Sequence, residues 1–365
     1  MLLGEADENV CERLEEIELC KSLTMKPVII MRYSAMGDVA IACEVVKRLC
    51  ERYPQQTFIF MTDERYAQLA PKCYNLTTKA IMIKAYKGVQ MIMGLGFTIA
   101  KQYEFDKVID LNDTIRTKLI RMALRLKNKK VFVVNKYRIQ RFIKFHFQSK
   151  RQLELRHTAE MMADAIGRAG YPLSINDIEL DDKSTSNGAI KSQQTEQINI
   201  GIACFSSKRN KEYPKERLVQ LIGMLQNNSN IRISIFGKGR RETQIGNELC
   251  KLANCSSCIN EDDMQSDIDN IRNMNLMICV DTGWMHIASL IGKPVISLWG
   301  PTQPSCGYYP LHQSRDKAIT LSMPCSPCSV YGRKACHYNT VKCMEIPVEM
   351  VYRKVMEYIA DNTRK

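Results

Sequence analysis

Apolar residues along this chain fall into short, unbroken, β-branched runs that alternate with longer stretches of helical period. The first run, Val28 to Met31, reads as a strand buried on both faces. After it the chain breaks at Ser34-Ala35-Met36-Gly37-Asp38, and a helix is expected from Asp38 to Arg52. The same pattern predicts strands at Thr57–Thr62, Ala80–Ile83, Lys107–Asp110 and Val131–Val134, with helices at Glu64–Leu69, Gly88–Tyr103, Thr114–Leu126 and His157–Ala169. It restarts downstream with strands at Ile198–Ala203, Ile231–Phe236, Leu276–Val280 and Val295–Leu298. Helices follow at Lys215–Gln226, Arg241–Leu252, Ser266–Asn273, Trp284–Ile291 and Val348–Ile359. Strand and helix alternating in this way build parallel, doubly wound sheets.

Asp181 to Gln197 separates the two series; it is polar, poor in aromatics and reads as a linker. A chain of 365 residues exceeds one ordinary core. Two α/β domains are therefore expected, at 26–182 and 198–346, with a linker at 183–197 and a C-terminal helix at 347–365. Two such sheets joined by one linker enclose a cleft. Residues 1–25 are acidic and amphipathic and read as an N-terminal extension, with Met25 a second candidate start.

Composition narrows the class. Apolar content of 45% with 25% charged residues is that of a soluble globular chain. No run reaches the roughly eighteen apolar residues of a membrane helix, Gly88 to Ala100 coming nearest. Acids from Glu5 to Glu18 interrupt any signal-peptide core, and fifteen Cys in such a chain point to reduced thiols and a cytoplasmic location.

Lys and Arg outnumber Asp and Glu by 52 to 39, a net charge of +13, and the excess is local. Between Thr114 and Arg156 fourteen basic residues face one acid, Glu154, so this segment alone carries +13. Such a concentration predicts an anionic partner: a phosphorylated glycolipid, an anionic membrane surface or nucleic acid. Phe142, Phe145 and Phe147 lie among the bases without any nucleic-acid motif, which favours a lipid-proximal surface.

Three strand ends carry the candidate chemistry, because ligands of open parallel sheets bind beyond the carboxyl ends of the strands. The first is the Gly37-Asp38 turn. Its aspartate stands at a helix start, where the dipole favours a carboxylate; it reads either as a cap or as a base presented to the cleft. The second runs from Cys279 to Pro304. Asp281 ends a strand and Thr282-Gly283 opens a helix, an anion site suited to a diphosphate beside an acceptor for ligand hydroxyls. His286 follows one turn on, readable as a packing residue or as a catalyst, and Gly300-Pro301-Thr302 is a turn in either case. The third, FSSKRNKEYP, offers the hydroxyls of Ser206 and Ser207 and the charges of Lys208, Arg209 and Lys211.

Together SAMGDVAIACEVV, SSKRNKEYP and DTGWMHIASLIGKPVISLWGPTQP resemble glycosyltransferase family 9, the lipopolysaccharide heptosyltransferase family, and DLNDTIRTKL and RHTAEMM extend the likeness through the first domain. The resemblance implies a GT-B fold of two facing Rossmann-like domains. A nucleotide-sugar donor, ADP-heptose by analogy, would occupy the second and an anionic glycolipid acceptor the first, at an anionic inner-membrane surface. It implies an inverting transfer with no catalytic metal and no cofactor. Asp38 stands where the family has its general base, beside Gly37. Ser206, Ser207 and Lys211 match diphosphate-binding positions, Thr282 and Gly283 a backbone phosphate cradle, Asp281 a sugar-contacting acid and His286 a histidine of the site. Arg116 and Lys118, at a first-domain helix start, are candidates for an acceptor carboxylate or phosphate, and Glu242 for ribose. Ser206 and Ser207 depart from the Thr that heptose-transferring members often carry.

Two other readings compete: a nucleic-acid- or membrane-binding module built on residues 114–156, and a sugar-nucleotide epimerase, which needs a second acid or base in the cleft. Cys325-x2-Cys328-x7-Cys336-x6-Cys343 stands apart from all of them. Four Cys opened by a C-x-x-C suit structural zinc, while the irregular spacing and the nearby prolines also suit a loop of free thiols.

Overall fold

The computed structural model describes residues 25–147, 153–174, 197–259, 263–338 and 340–363. Among these, β1 (Val28–Met31) is buried at every position, as a central strand covered by helices on both faces must be. It pairs in parallel with β2 (Phe58–Asp63) and with β4 (Lys107–Asp110). β3 (Leu76–Ile81) and β5 (Lys130–Val133) complete a parallel sheet in the order β3-β2-β1-β4-β5. A second parallel sheet has the order β11-β10-β9-β6-β7-β8. It is built from β6 (Ile198–Ala203), β7 (Ile231–Ile235), β8 (Ser256–Ser257), β9 (Leu276–Val280), β10 (Val295–Trp299) and β11 (Ala318–Thr320). Both sheets are Rossmann-like.

The helices are α1 (Met36–Arg52), α2 (Gly88–Gln102), α3 (Ile115–Leu126), α4 (Arg138–His146) and α5 (Thr158–Arg168) with the first sheet. With the second come α6 (Lys215–Gln226), α7 (Arg240–Ala253), α8 (Met264–Arg272), α9 (Gly283–Leu290) and α10 (Val348–Thr363). α1 is buried at every residue from Val39 to Val46, more than a surface helix needs, because it packs on its own sheet, on α5 and on α9 of the second unit. One apolar cluster consequently runs from β1 and α1 through α5 to Trp284, Trp299 and Leu311. Polar ties reinforce it: Leu155 N donates to Ser305 O at 2.9 Å and Thr158 N to Gly307 O at 2.9 Å, and Glu44 faces His312 Nε2 at 3.3 Å. α10 packs on α6. Among the described residues no helix is long and apolar enough to cross a membrane.

The structure departs from expectation at the edges. β3 lies earlier, at Leu76–Ile81, as a half-exposed edge strand whose Thr77, Thr78 and Lys79 blur the apolar signal. α4, β8 and β11 were not foreseen; α4 hides among alternating bases and aromatics, and the strands span only two and three residues. The expected extension apart from Met25, and the expected linker apart from Gln197, lie outside the described residues.

Candidate active site where two helix starts meet

α1 leaves the carboxyl end of β1 and α9 leaves that of β9, and their first turns abut. A Cβ built on Gly37 would lie 2.6 Å from His286 Cδ2 and 3.3 Å from Gly283 Cα, and one on Gly283 would lie 3.1 Å from Met36 Cβ. Glycine is needed here for close approach, since neither residue has a positive φ. Facing helix starts bring two positive dipole ends together. Asp38, third residue of α1, and Asp281, two residues ahead of α9, supply the compensating charge.

Asp38 reaches back to the helix start, accepting from Ala35 N at 3.4 Å, so the capping role is real. Its Oδ2 also pairs with Arg32 Nη2, while Arg32, only 5% exposed, donates through Nη1 to the Leu111 carbonyl. Asn112 Oδ1 fixes the loop between strand and helix by accepting from Tyr33 N at 2.9 Å and Ser34 N at 3.1 Å. Yet the Asp38 side chain keeps 21% of its surface open, room for a ligand hydroxyl that a purely structural cap does not need. Lys136 and Tyr308 border it. Burial pushes the Lys136 ammonium below its ordinary range, and burial followed by the Asp38 charge holds the Tyr308 phenol well above its own.

Across the junction, Lys211 Nζ lies 3.1 Å from Asp281 Oδ2, which also accepts from Thr302 Oγ1 at 2.7 Å. Lys211 is therefore committed to a carboxylate. Ser206 is buried and Ser207 exposed. Ser206 N donates to Glu212 Oε1 at 3.2 Å, and Glu212 in turn pairs with Arg241. Thr282 precedes α9 without capping it through its own hydroxyl. His286 is 6% exposed with Nδ1 unpartnered among the described residues. Burial lowers its pKa to about 4, against the pull of Asp281 and Asp38, so it is a neutral imidazole at pH 7. Glu242 Oε2 accepts from Lys238 N at 2.7 Å, and burial raises its carboxyl.

Gly37, Asp38, Lys211, Asp281, Thr282, Gly283 and His286 are thus gathered at one junction. Arg116 and Lys118 are not tied to it: both are exposed on α3. Much of the basic segment is consumed internally. Arg121 Nη1 pairs with Asp110 at 3.0 Å, Arg138 with Asp113 at 2.9 Å and Arg156 with Asp164 at 2.6 Å, Lys136 donates to the Asn112 carbonyl at 2.7 Å, and Lys144 is fully buried. Sequence reasoning passed over Arg32, Thr302 and Tyr308. Thr302 stood within a turn it had marked; Arg32 carried only the hint of a charge directly after a buried strand.

A cavity of about 640 Å³ lies elsewhere, at the C-terminal ends of α1 and α9 between Lys47, Cys73, Gln265 and Leu290. Its lining includes none of the residues gathered around Asp38 and Asp281. Among the described residues no group of three or more His, Cys, Asp or Glu side chains stands ready to hold a metal.

Residues 99–339 match the model of glycosyltransferase family 9 (heptosyltransferase). The chain belongs to glycosyltransferase family 9. This family 9 enzyme is 24% identical over 289 residues to the lipopolysaccharide core heptosyltransferase OpsX of Haemophilus influenzae, spanning 76% of this chain and 80% of that one. Its fold is similar to that of the family 9 glycosyl transferase from Veillonella parvula, with TM-score 0.69, 16% identity and coverage of 92% of this chain and 98% of that one. It is also similar to E. coli heptosyltransferase WaaC with ADP, with TM-score 0.63, 16% identity and coverage of 92% and 99%. The architecture is accordingly GT-B, two parallel-sheet α/β domains. The family match sets aside the nucleic-acid-module and epimerase readings.

Proposed function

We propose that this glycosyltransferase moves heptose from ADP-heptose to an anionic glycolipid in lipopolysaccharide core synthesis, inverting the anomeric carbon with Asp38 as general base and no catalytic metal. The observation that carries the reading is the partly open Asp38 carboxylate, paired with Arg32 and borne on the helix turn whose Gly37 packs against His286 of α9. The core heptosyltransferase relative and the likeness in fold to an ADP-bearing heptosyltransferase support the choice of sugar, nucleotide and pathway.

The acceptor hydroxyl gives its proton to Asp38 as its oxygen attacks the anomeric carbon, help typically worth about 10²- to 10⁴-fold. The departing diphosphate gathers charge on the opposite side of the sugar. The Thr282-Gly283 helix start, Ser206, Ser207 and Lys211 meet it, Lys211 leaving Asp281 for phosphate. Asp281, still held by Thr302, and neutral His286 remain for sugar hydroxyls. Arg116 and Lys118 stay free on the surface for acceptor phosphate or carboxylate. Ile139, Phe142 and Phe147, exposed at 77%, 55% and 55% on and just after α4, support a peripheral seat on an anionic membrane.

A thermal-shift series with ADP, GDP, UDP and CDP tests the donor half, ADP alone giving a clear rise. Proton NMR of the product from ADP-heptose and a deacylated core acceptor tests the rest; an anomer of unchanged configuration contradicts inversion.

A further inference from the structure

The helices whose starts abut at Gly37 and Gly283 end together at the cavity of about 640 Å³, walled by Lys47 and Glu51 of α1 and by Leu290 of α9. Ile268 and Arg272 of α8 close it from the second domain, and Leu69 with residues 70–75, ahead of β3, from the first. Its volume is that of a small-molecule site, and both domains supply walls. Four charged side chains line it, and two are spent. Glu51 Oε2 accepts from Arg48 Nη1 at 2.8 Å, and Arg272 Nη1 donates to Asp269 Oδ1 at 2.7 Å. Lys47, half-buried, and Lys72, exposed, have no ion-pair partner among the described residues. Glu44 feels the Lys47 charge but is already held by Arg48 Nε at 2.8 Å, and the same charge reaches Cys73, the neighbour of Lys72. Two uncompensated ammonium groups in one cavity suit a phosphate dianion.

The first-domain wall adds an unmet acceptor. Asn75 lines the cavity and is 5% exposed; its Nδ2 donates to the carbonyls of Cys50, Tyr53 and Gln56 at 3.2, 3.1 and 3.0 Å, which fixes which end of the amide is oxygen. Oδ1 is left without a donor among the described residues. A buried acceptor without a donor costs free energy, and a ligand hydroxyl recovers it. On the rim Tyr74 stands 85% exposed, anchored by its hydroxyl to Pro54 O at 3.0 Å. An open aromatic ring beside amide groups is a seat for a sugar, whose C–H face is apolar and whose edge carries hydroxyls. Among the described residues Tyr74 is the one large apolar side chain of the lining that is strongly exposed, so no apolar surface borders the cavity for acyl chains.

We propose that this cavity is a second ligand site, for a free phosphorylated monosaccharide, with the phosphate at Lys47 and Lys72, hydroxyls toward Asn75 and a ring face on Tyr74. The ligand bridges walls of both domains, so it binds the folded junction and not the unfolded chain, and its occupancy raises the melting temperature. Attraction to the two ammonium groups weakens as salt rises, because Lys72 stands in solvent.

The test is calorimetric titration of the full chain in excess ADP, with glucose 6-phosphate, glucose and inorganic phosphate as probes and melting temperature followed in parallel. Glucose 6-phosphate is expected to bind once per chain and to raise the melting temperature. Glucose and inorganic phosphate are each expected to bind at least about tenfold more weakly. Lys47→Gln with Lys72→Gln is expected to weaken glucose 6-phosphate by about 10- to 100-fold. Tyr74→Ala, at a side chain too exposed to matter for folding, is expected to weaken it by about 2- to 10-fold. Lys101→Gln, exposed on α2, is expected to leave it unchanged. A folded wild-type chain that binds none of the probes, a double variant that binds glucose 6-phosphate at full strength, or inorganic phosphate binding as tightly as the sugar phosphate overturns the proposal. So does displacement by ADP of a probe bound in its absence, which puts the probe in the donor cleft. The site is independent of the transferase reading: a chain that transfers sugar and ignores the probe fails only this inference, and one that binds the probe and transfers nothing fails only the other.

Discussion

Gly37 and His286 come from helices of different domains and touch: a Cβ on Gly37 would stand 2.6 Å from His286 Cδ2. That contact sets how near the Asp38 helix comes to the Thr282 helix start, and hence whether one sugar can reach both.

Gly37→Ala should therefore act on both stability and catalysis. Overpacking against a buried ring costs about 1–3 kcal/mol, and prising the helices apart should lower kcat/KM by about 10²-fold. Gly223→Ala, in α6 with nothing within 4 Å of the new Cβ, should instead raise stability by roughly 0.5–1 kcal/mol and leave activity intact. Melting temperatures and steady-state rates of the two variants check this.

Arg32→Ala leaves the Asp38 carboxylate without its guanidinium and the Leu111 carbonyl without its donor. The expected loss is roughly 3 kcal/mol, the low end for a broken buried pair because Asp38 stays partly solvated. kcat should fall while donor affinity is unchanged. Denaturant unfolding and calorimetric titration with donor separate the two effects.

What could be read from the chain and what could not divides along contact distance. β1, β9 and β10 are unbroken buried runs, and the strand-turn-helix break at Gly37-Asp38 announces itself within five residues. Arg32 matters through a carbonyl 79 positions away, and Thr302 through a carboxylate 21 away, spacings that no local pattern encodes. Arg116 and Lys118 are the converse case. Their charge was visible and their position was not: the buried partner of Asp110 on that helix is Arg121.

The pH dependence of stability follows from His286. Burial lowers its pKa from 6.5 to about 4, so between those values the unfolded chain binds a proton that the folded chain refuses. Stability from this group is complete above about pH 6.5 and falls as pH drops toward 4, by an amount of order 3 kcal/mol. His286→Gln should flatten that part of the curve, measured as unfolding free energy between pH 4 and 7.

Lys211→Ala removes the cation assigned to the leaving diphosphate. A charge-assisted contact is worth about 1.5–3 kcal/mol, so the donor KM should rise by about 10- to 100-fold. kcat should fall as well, because charge on the diphosphate grows as the bond breaks. Varying donor at saturating acceptor gives both constants.

The most direct test of the account is Asp38→Asn, assayed for donor binding by calorimetry and for transfer in the same preparation. The account predicts wild-type donor affinity with transfer reduced by about 10²- to 10⁴-fold. Transfer at the wild-type rate in a variant that binds donor normally would contradict it.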